Sequence, residues 1–124
     1  MDALSRMIDT VARGGLVLDL QVIRPNPQIE VDGRKVCEID GDVLFRKADA
    51  AVAAVDARIA AGDLVEDGVD DHEVRKHYSA GPDLVEDVAQ SERSLAEEFV
   101  PIVRAINRPL VVREWCRLRR LSVR

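Results

Sequence analysis

One short segment of this chain brings together several residues of the types that catalysis or metal binding needs. It holds two imidazoles and three carboxylates: Asp70, Asp71, His72, Glu73 and His77. Such groups can transfer protons or bind a metal ion. On a helix, however, residues five apart lie about 140° from one another around the axis, whereas the HExxH zinc motif needs a spacing of four. We therefore keep His72 and His77 only as weak candidates, and we expect no catalytic residues and no metal site.

Other catalytic signatures are missing from the sequence. It has no glycine-rich phosphate loop, no GxSxG motif and no CxxC motif. The two cysteines, Cys37 and Cys116, are too few for a disulfide framework or a four-thiolate site, and each lies among periodic apolar residues. The sequence therefore predicts a protein that is not an enzyme and that has no cofactor.

Arginines dominate the end of the chain. Four of them follow one another at spacings of four, three and four, which places them on one stripe of a helix: Arg113, Arg117, Arg120 and Arg124. Guanidinium groups bind carboxylates and phosphates bidentately, and Trp115 beside them is of the type enriched at the centre of protein interfaces. These five residues are the predicted partner-binding surface.

The charge of the chain is unevenly distributed. The formal net charge is −5, but residues 49–98 carry fourteen acidic side chains against four basic ones, and residues 104–124 carry seven arginines against one glutamate. This division favours an acidic partner, or attraction between copies of the chain. Equally, the arginines could lie against the acidic middle of their own fold, and the sequence leaves these possibilities open.

The first 42 residues predict one helix and a small sheet. Leu4, Ile8 and Val11 recur at helical spacing, and residues 16–23 alternate with a period of two, as in a half-buried strand ended by Pro25. Asp32-Gly33 between two apolar runs is a strong signal for a β-hairpin with a type I′ turn. We expect two or three antiparallel strands here.

The rest of the chain has apolar residues at helical spacing. The pattern predicts a helix over 43–61, a short helix over 70–78, a long helix over 83–106 that is kinked at Pro101, and a final helix over 109–121. The long helix is predicted from six residues that share one face: Leu84, Val88, Leu95, Phe99, Ile102 and Ile106.

These elements predict an α+β protein. With 124 residues, 47% of them apolar and 33% charged, the chain is the size of one globular domain, residues 1–124. A small N-terminal antiparallel hairpin or meander would pack against three to five helices, with residues 43–124 entirely helical. No signal peptide and no membrane-spanning stretch is recognisable, so we expect a cytoplasmic protein that does not bind membranes.

The function that these features favour is non-catalytic. The chain would be a small subunit, adaptor or inhibitor-like partner in a larger bacterial or phage complex, and it would bind another protein or copies of itself. The alternative is a nucleic-acid-binding regulator that uses the C-terminal arginine-rich helix on phosphates. Overall acidity and the lack of aromatic residues between the arginines make nucleic acid the less favoured partner.

Overall fold

The computed structural model describes residues 3–11 and 13–124, which form four helices and four strands. In chain order the elements are α1 (Ala3–Thr10), β1 (Leu16–Val31), β2 (Arg34–Glu38), α2 (Asp42–Ala60), β3 (Leu64–Tyr78), α3 (Gly81–Ala89), α4 (Val100–Arg104) and β4 (Leu110–Val123).

The four strands form one antiparallel sheet in the order β2-β1-β4-β3. The C-terminal strand β4 is central and pairs along its length with β3 on one side and β1 on the other. The short strand β2 pairs only with the far end of β1, from Gln28 to Val31. Because β4 joins the two long strands, the last residues of the chain hold the sheet together.

The sheet has two hydrophobic cores, one on each face and at opposite ends of β4. Leu110 and Val112 pack with residues of α3 and α4, whereas Leu121 and Val123 pack with residues of α1 and α2. Successive strand residues point to opposite faces, so the even-numbered residues of β4 lie on what we call the α3 face and the odd-numbered ones on the α2 face. Each face is thus covered by helices over one half and open over the other.

Three of the predicted N-terminal elements are confirmed. The helix predicted from Leu4, Ile8 and Val11 is α1, and the alternating run 16–23 is the first half of β1. The hairpin turn is also present, with positive φ angles of 52° at Asp32 and 76° at Gly33, as a type I′ turn requires. The strand does not end at Pro25, however; it continues to Val31 with a shift of register between Ile23 and Gln28.

The predicted helix over 43–61 is confirmed as α2, but the prediction that the C-terminal half is entirely helical is wrong. Residues 110–123 form β4, not a helix over 109–121. The helix was predicted from the apolar stripe of Val111, Trp115 and Leu118 and from the arginine stripe. The steps of four in both stripes keep side chains on one face of a strand as well as of a helix, but the steps of three do so only in a helix. Pairing with β1 and β3 nevertheless makes this segment a strand.

The short helix predicted over 70–78 is also wrong, because these residues belong to β3. This strand lies at the edge of the sheet, and most of its side chains on both faces are exposed. Such a strand has no apolar alternation, so no periodic signal marks it in the sequence.

The long helix predicted over 83–106 is wrong as well. Helix α3 ends at Ala89, residues 90–99 form turns and a bridge to Asp40, and α4 covers only Val100–Arg104. Leu95 and Phe99 still pack against the core of the α3 face, but they do so from an irregular segment. The spacing of Leu95 and Phe99 therefore indicates that these residues are buried, but it does not indicate a helix.

Within residues 3–11 and 13–124, no helix is long and apolar enough to cross a membrane.

Candidate interaction surface

The first half of β1 has an unpaired edge. Residues 16–23 pair with β4 on one side, while β2 reaches only Gln28 and the residues after it. In an antiparallel pair, every second residue directs its N–H and C=O groups away from the neighbouring strand. Across the described parts of the chain, no hydrogen bond is made to these outward groups. Residues 16–23 therefore present an open template for another strand.

The side chains of this edge strand include three exposed leucines on the open half of the α3 face. Leu16, Leu18 and Leu20 have 48%, 57% and 59% of their surface exposed. Leu20 lies opposite the half-buried Leu118 of β4, which extends the apolar surface toward the centre of the sheet. We call these four residues the leucine face. Exposed large apolar residues that adjoin one another mark interaction surfaces more often than scattered ones do.

An apolar groove lies on the other side of the same strand. It has a volume of about 320 Å³. Its lining comes from α1, α2 and β1: Leu4, Met7, Asp19, Gln21, Ala51, Ala54 and Val55. The side chain of Gln21 donates a hydrogen bond of 2.9 Å to Oδ1 of Asp19. The second oxygen of Asp19, Oδ2, is buried and has no hydrogen-bond partner among the described residues.

The opposite edge of the sheet is protected. The register of β3 against β4 shifts between Glu66 and Gly68, which is a β-bulge. The strand carries seven charged side chains: Glu66, Asp67, Asp70, Asp71, Glu73, Arg75 and Lys76. Bulges and charges are the usual devices that stop edge strands from pairing with other chains. The edge of β1 over 16–23 has neither a bulge nor a proline, and Asp19 is its only charge.

The open half of the α2 face is polar and internally neutralised. Arg117 donates two hydrogen bonds to Asp71, of 2.7 and 2.9 Å, and Arg113 donates to Glu73 and, at 2.9 Å, to Glu30. The hydrogen bond from Arg117 lowers the pKa of Asp71, and the bond from Arg113 likewise lowers the pKa of Glu73. These arginines bind carboxylates of their own chain, so the acidic middle and the basic end meet within one fold.

The predicted arginine stripe is divided between the two faces. Arg113 and Arg117 lie on the α2 face, where the guanidinium of Arg113 stacks 5.5 Å from the ring centre of the half-buried Trp115. Arg120 is an even-numbered residue of β4 and lies on the α3 face, opposite Leu18. Arg124 follows the strand and is exposed. The step of three between Arg117 and Arg120 reverses the face in a strand, which separates residues that a helix would have aligned.

The buried ionic group of the α2 face was not anticipated from the sequence. The side chain of Arg119 is only 8% exposed and binds Asp56 of α2 at 2.9 Å and Glu66 of β3 at 2.6 Å. Burial is the strongest single effect and lowers the pKa of Arg119. The hydrogen bonds that Arg119 donates to Glu66 and Asp56, together with the negative charges of these two carboxylates, outweigh burial, so the pKa is raised. This residue connects α2 and β3 to the central strand.

The structure does not bring His72 and His77 together. His72 and His77 are five positions apart in a strand, so their side chains lie on opposite faces of β3. Within residues 3–11 and 13–124, no group of three or more histidine, cysteine or acidic side chains is arranged to hold a metal ion. Burial raises the pKa of both Cys37 and Cys116, which favours the protonated, unreactive thiol.

The leucine face was present in the sequence analysis only as one side of a half-buried strand. The alternation of Leu16, Leu18 and Leu20 with Val17 and Asp19 was visible, but it does not tell which side faces the core. In the structure Val17 is buried and the leucines are exposed.

Comparison of the chain with protein-family models, curated proteins and solved structures finds no significant match.

Proposed function

We propose that this chain is a non-catalytic interaction protein, acting in the cytoplasm, that binds a protein partner along the free edge of β1. The observation that carries the proposal is the unpaired strand 16–23 with its three exposed leucines. Backbone groups of such an edge bind an added strand, and the side chains on either face select it. A role as a subunit, adaptor or inhibitor-like partner fits this surface.

The exposed leucines supply binding free energy when a partner covers them. Full burial of a leucine side chain stabilises a complex by roughly 1.5–3 kcal/mol relative to exposure. Leu18 and Leu20 each have more than half of their surface exposed in the isolated chain. Covering them releases apolar surface from water at the same place where the backbone gains hydrogen bonds. The two contributions act on one strand, which favours a partner that is itself extended.

The nucleic-acid alternative receives less support. It was based on a C-terminal arginine helix, and those residues form β4 instead. Arg113, Arg117 and Arg119 each bind carboxylates of the same chain, so phosphate would have to displace an existing ion pair. The leucine face, in contrast, needs no rearrangement to be covered.

The proposal can be tested in cells by site-specific photo-crosslinking. A photoreactive amino acid placed at Leu18 is expected to form a protein adduct of defined mass in high yield. The same amino acid at Val69, which is 50% exposed on the protected edge strand β3, is the matched control and should form little adduct. Equal labelling at the two positions, or none at Leu18, would contradict the proposal.

A further inference from the structure

We infer that the occupant of the β1 edge is a second copy of this chain, paired antiparallel through residues 17–23 about a two-fold axis at Leu20. This inference rests on the proposed function and identifies its partner. Two identical edge strands related by a two-fold axis perpendicular to the sheet are necessarily antiparallel, and both copies then present the same face on the same side. The leucine faces of the two copies would merge into one surface.

The polar side chains select this register. With Leu20 opposite Leu20 of the second copy, Asp19 lies opposite Gln21 and each carboxylate faces an amide donor. The carboxylate of Asp19, which accepts a hydrogen bond from Gln21 of its own chain, would then also face the amide side chain of Gln21 of the second copy. A register centred on Asp19 would instead place two like charges opposite each other, which is destabilising.

The apolar side chains agree with the same register. On the α3 face, Leu18 lies opposite Val22 and Leu20 opposite itself, so the interface is entirely aliphatic on that face. On the α2 face, Val17 lies opposite Ile23. Seven paired residues form a contact about 24 Å long, at roughly 3.4 Å per residue. The Asp19–Gln21 pair occurs twice, once on each side of the Leu20 pair at the axis, and an aliphatic pair lies beyond each of the two polar pairs.

The helices on the α2 face extend the contact beyond the strands. The apolar groove over β1 is lined by Met7, Ala51 and Ala54, and the two-fold axis brings the two grooves together. Met7 is 44% exposed in one chain, and both alanines are small enough to allow the close approach of a second helix. The helices of both copies would therefore cover the α2 face of the joined sheet at the interface, and the merged leucine face would lie on the opposite side.

Charge also favours the β1 edge over the other edge for self-association. Two copies paired through β3 would bring the carboxylates of Glu66, Asp70 and Asp71 close to those of the second copy. The β1 edge carries one carboxylate per copy, and the register centred on Leu20 gives it a neutral partner. Self-association through β1 is therefore expected to depend little on salt, in contrast to attraction between the acidic middle and the arginines.

The first test is the solution mass of the purified chain by sedimentation, across a range of protein concentrations. The wild type is expected at twice the mass of one chain, with little change at high salt. Leu20→Lys should reduce the mass to that of one chain, because two ammonium groups would face each other on the axis. Leu20 is 59% exposed, so the fold should persist, and circular dichroism checks this. Val69→Lys, the matched control on β3, should remain dimeric.

The register is tested separately by disulfide formation in a Cys116→Ser background. Opposite residues of an antiparallel pair have Cα atoms about 4.5–5.5 Å apart, which suits a disulfide. Leu20→Cys is therefore expected to cross-link two chains under mild oxidation. Leu18→Cys should not, because its two copies would lie about 14 Å apart in this register. Efficient cross-linking at Leu18 and none at Leu20 would overturn the proposed register.

The two proposals fail in different ways. A wild-type chain that is monomeric at every concentration, or a dimer that Leu20→Lys does not dissociate, would overturn self-association through β1. If adducts at Leu18 then consist of a different protein, the proposed function survives with another partner. If Leu18 forms no adduct either, both proposals are wrong.

Discussion

Replacement of Gly81 by alanine is expected to destabilise the protein by about 3 kcal/mol, because no space exists for a side chain there. A Cβ atom at Gly81 would lie 1.7 Å from the backbone oxygen of Val103 and 2.8 Å from its carbonyl carbon. The amide of Gly81 also donates a hydrogen bond of 2.8 Å to the oxygen of Ile106. Helix α3 therefore begins in direct backbone contact with α4 and the turn after it, and an added methyl group must separate them.

Urea denaturation of Gly81→Ala and of the matched variant Gly68→Ala measures this effect. Nothing lies within 4 Å of a Cβ atom built on Gly68, so that substitution should change the free energy of unfolding by less than about 0.5 kcal/mol. Similar unfolding midpoints for the two variants would show that α3 and α4 are not packed as described.

Neutralisation of both carboxylates that bind Arg119 is expected to cost about 3 kcal/mol, since it leaves a buried guanidinium without a counter-ion. The double variant Asp56→Asn and Glu66→Gln keeps the shape of both side chains but removes their charge. Arg119 is only 8% exposed, so water cannot replace the lost carboxylates. The free energy of unfolding from urea denaturation at neutral pH measures the loss.

The informative comparison is with Arg119→Met, which removes the charge from the buried position and keeps an unbranched side chain that can pack there. Asp56 and Glu66 are 59% and 35% exposed, so both carboxylates can be solvated without the arginine. We expect this variant to lose less than about 1 kcal/mol, because a buried ion pair contributes little beyond its own desolvation. A greater loss for Arg119→Met than for the double variant would contradict this account of the α2 face.

The elements that sequence reasoning identified are those whose signal is local. The type I′ turn at Asp32-Gly33 depends on two residues that tolerate positive φ, and α2 depends on a long run of alanine and periodic apolar residues. Both are determined within a few residues of the chain. They were therefore predicted correctly without knowledge of the sheet.

The elements that were missed depend on contacts distant in sequence. Strand β4 was predicted as a helix because its arginines, and the apolar residues Val111, Trp115 and Leu118, recur at spacings of three and four, of which a strand shares only the spacing of four. What makes this segment a strand is its pairing with β1 and β3 on either side. Strand β3 carries charges that β4 neutralises across the ladder, and no pattern within 64–78 alone shows this.

The candidate site was only partly accessible for the same reason. The run 16–23 was recognisable as a strand with leucines on one side, yet its exposure depends on where β2 ends and on which half of each face the helices cover. An alternating run such as 16–23 does not show by itself whether the strand pairs on one side or on both. The open edge is a property of the assembled sheet.

The central claim, that the edge of β1 is occupied by another strand, is tested most directly by hydrogen exchange. Amide exchange of residues 17–23 should be measured at high and at low protein concentration, with β3 as the internal reference. The account predicts that alternate amides of 17–23, those directed away from β4, are protected at high concentration and exchange rapidly after dilution, while the edge amides of β3 exchange rapidly in both. If the outward amides of β1 exchange as rapidly as those of β3 at every concentration, the edge is free in solution and self-association through β1 is wrong.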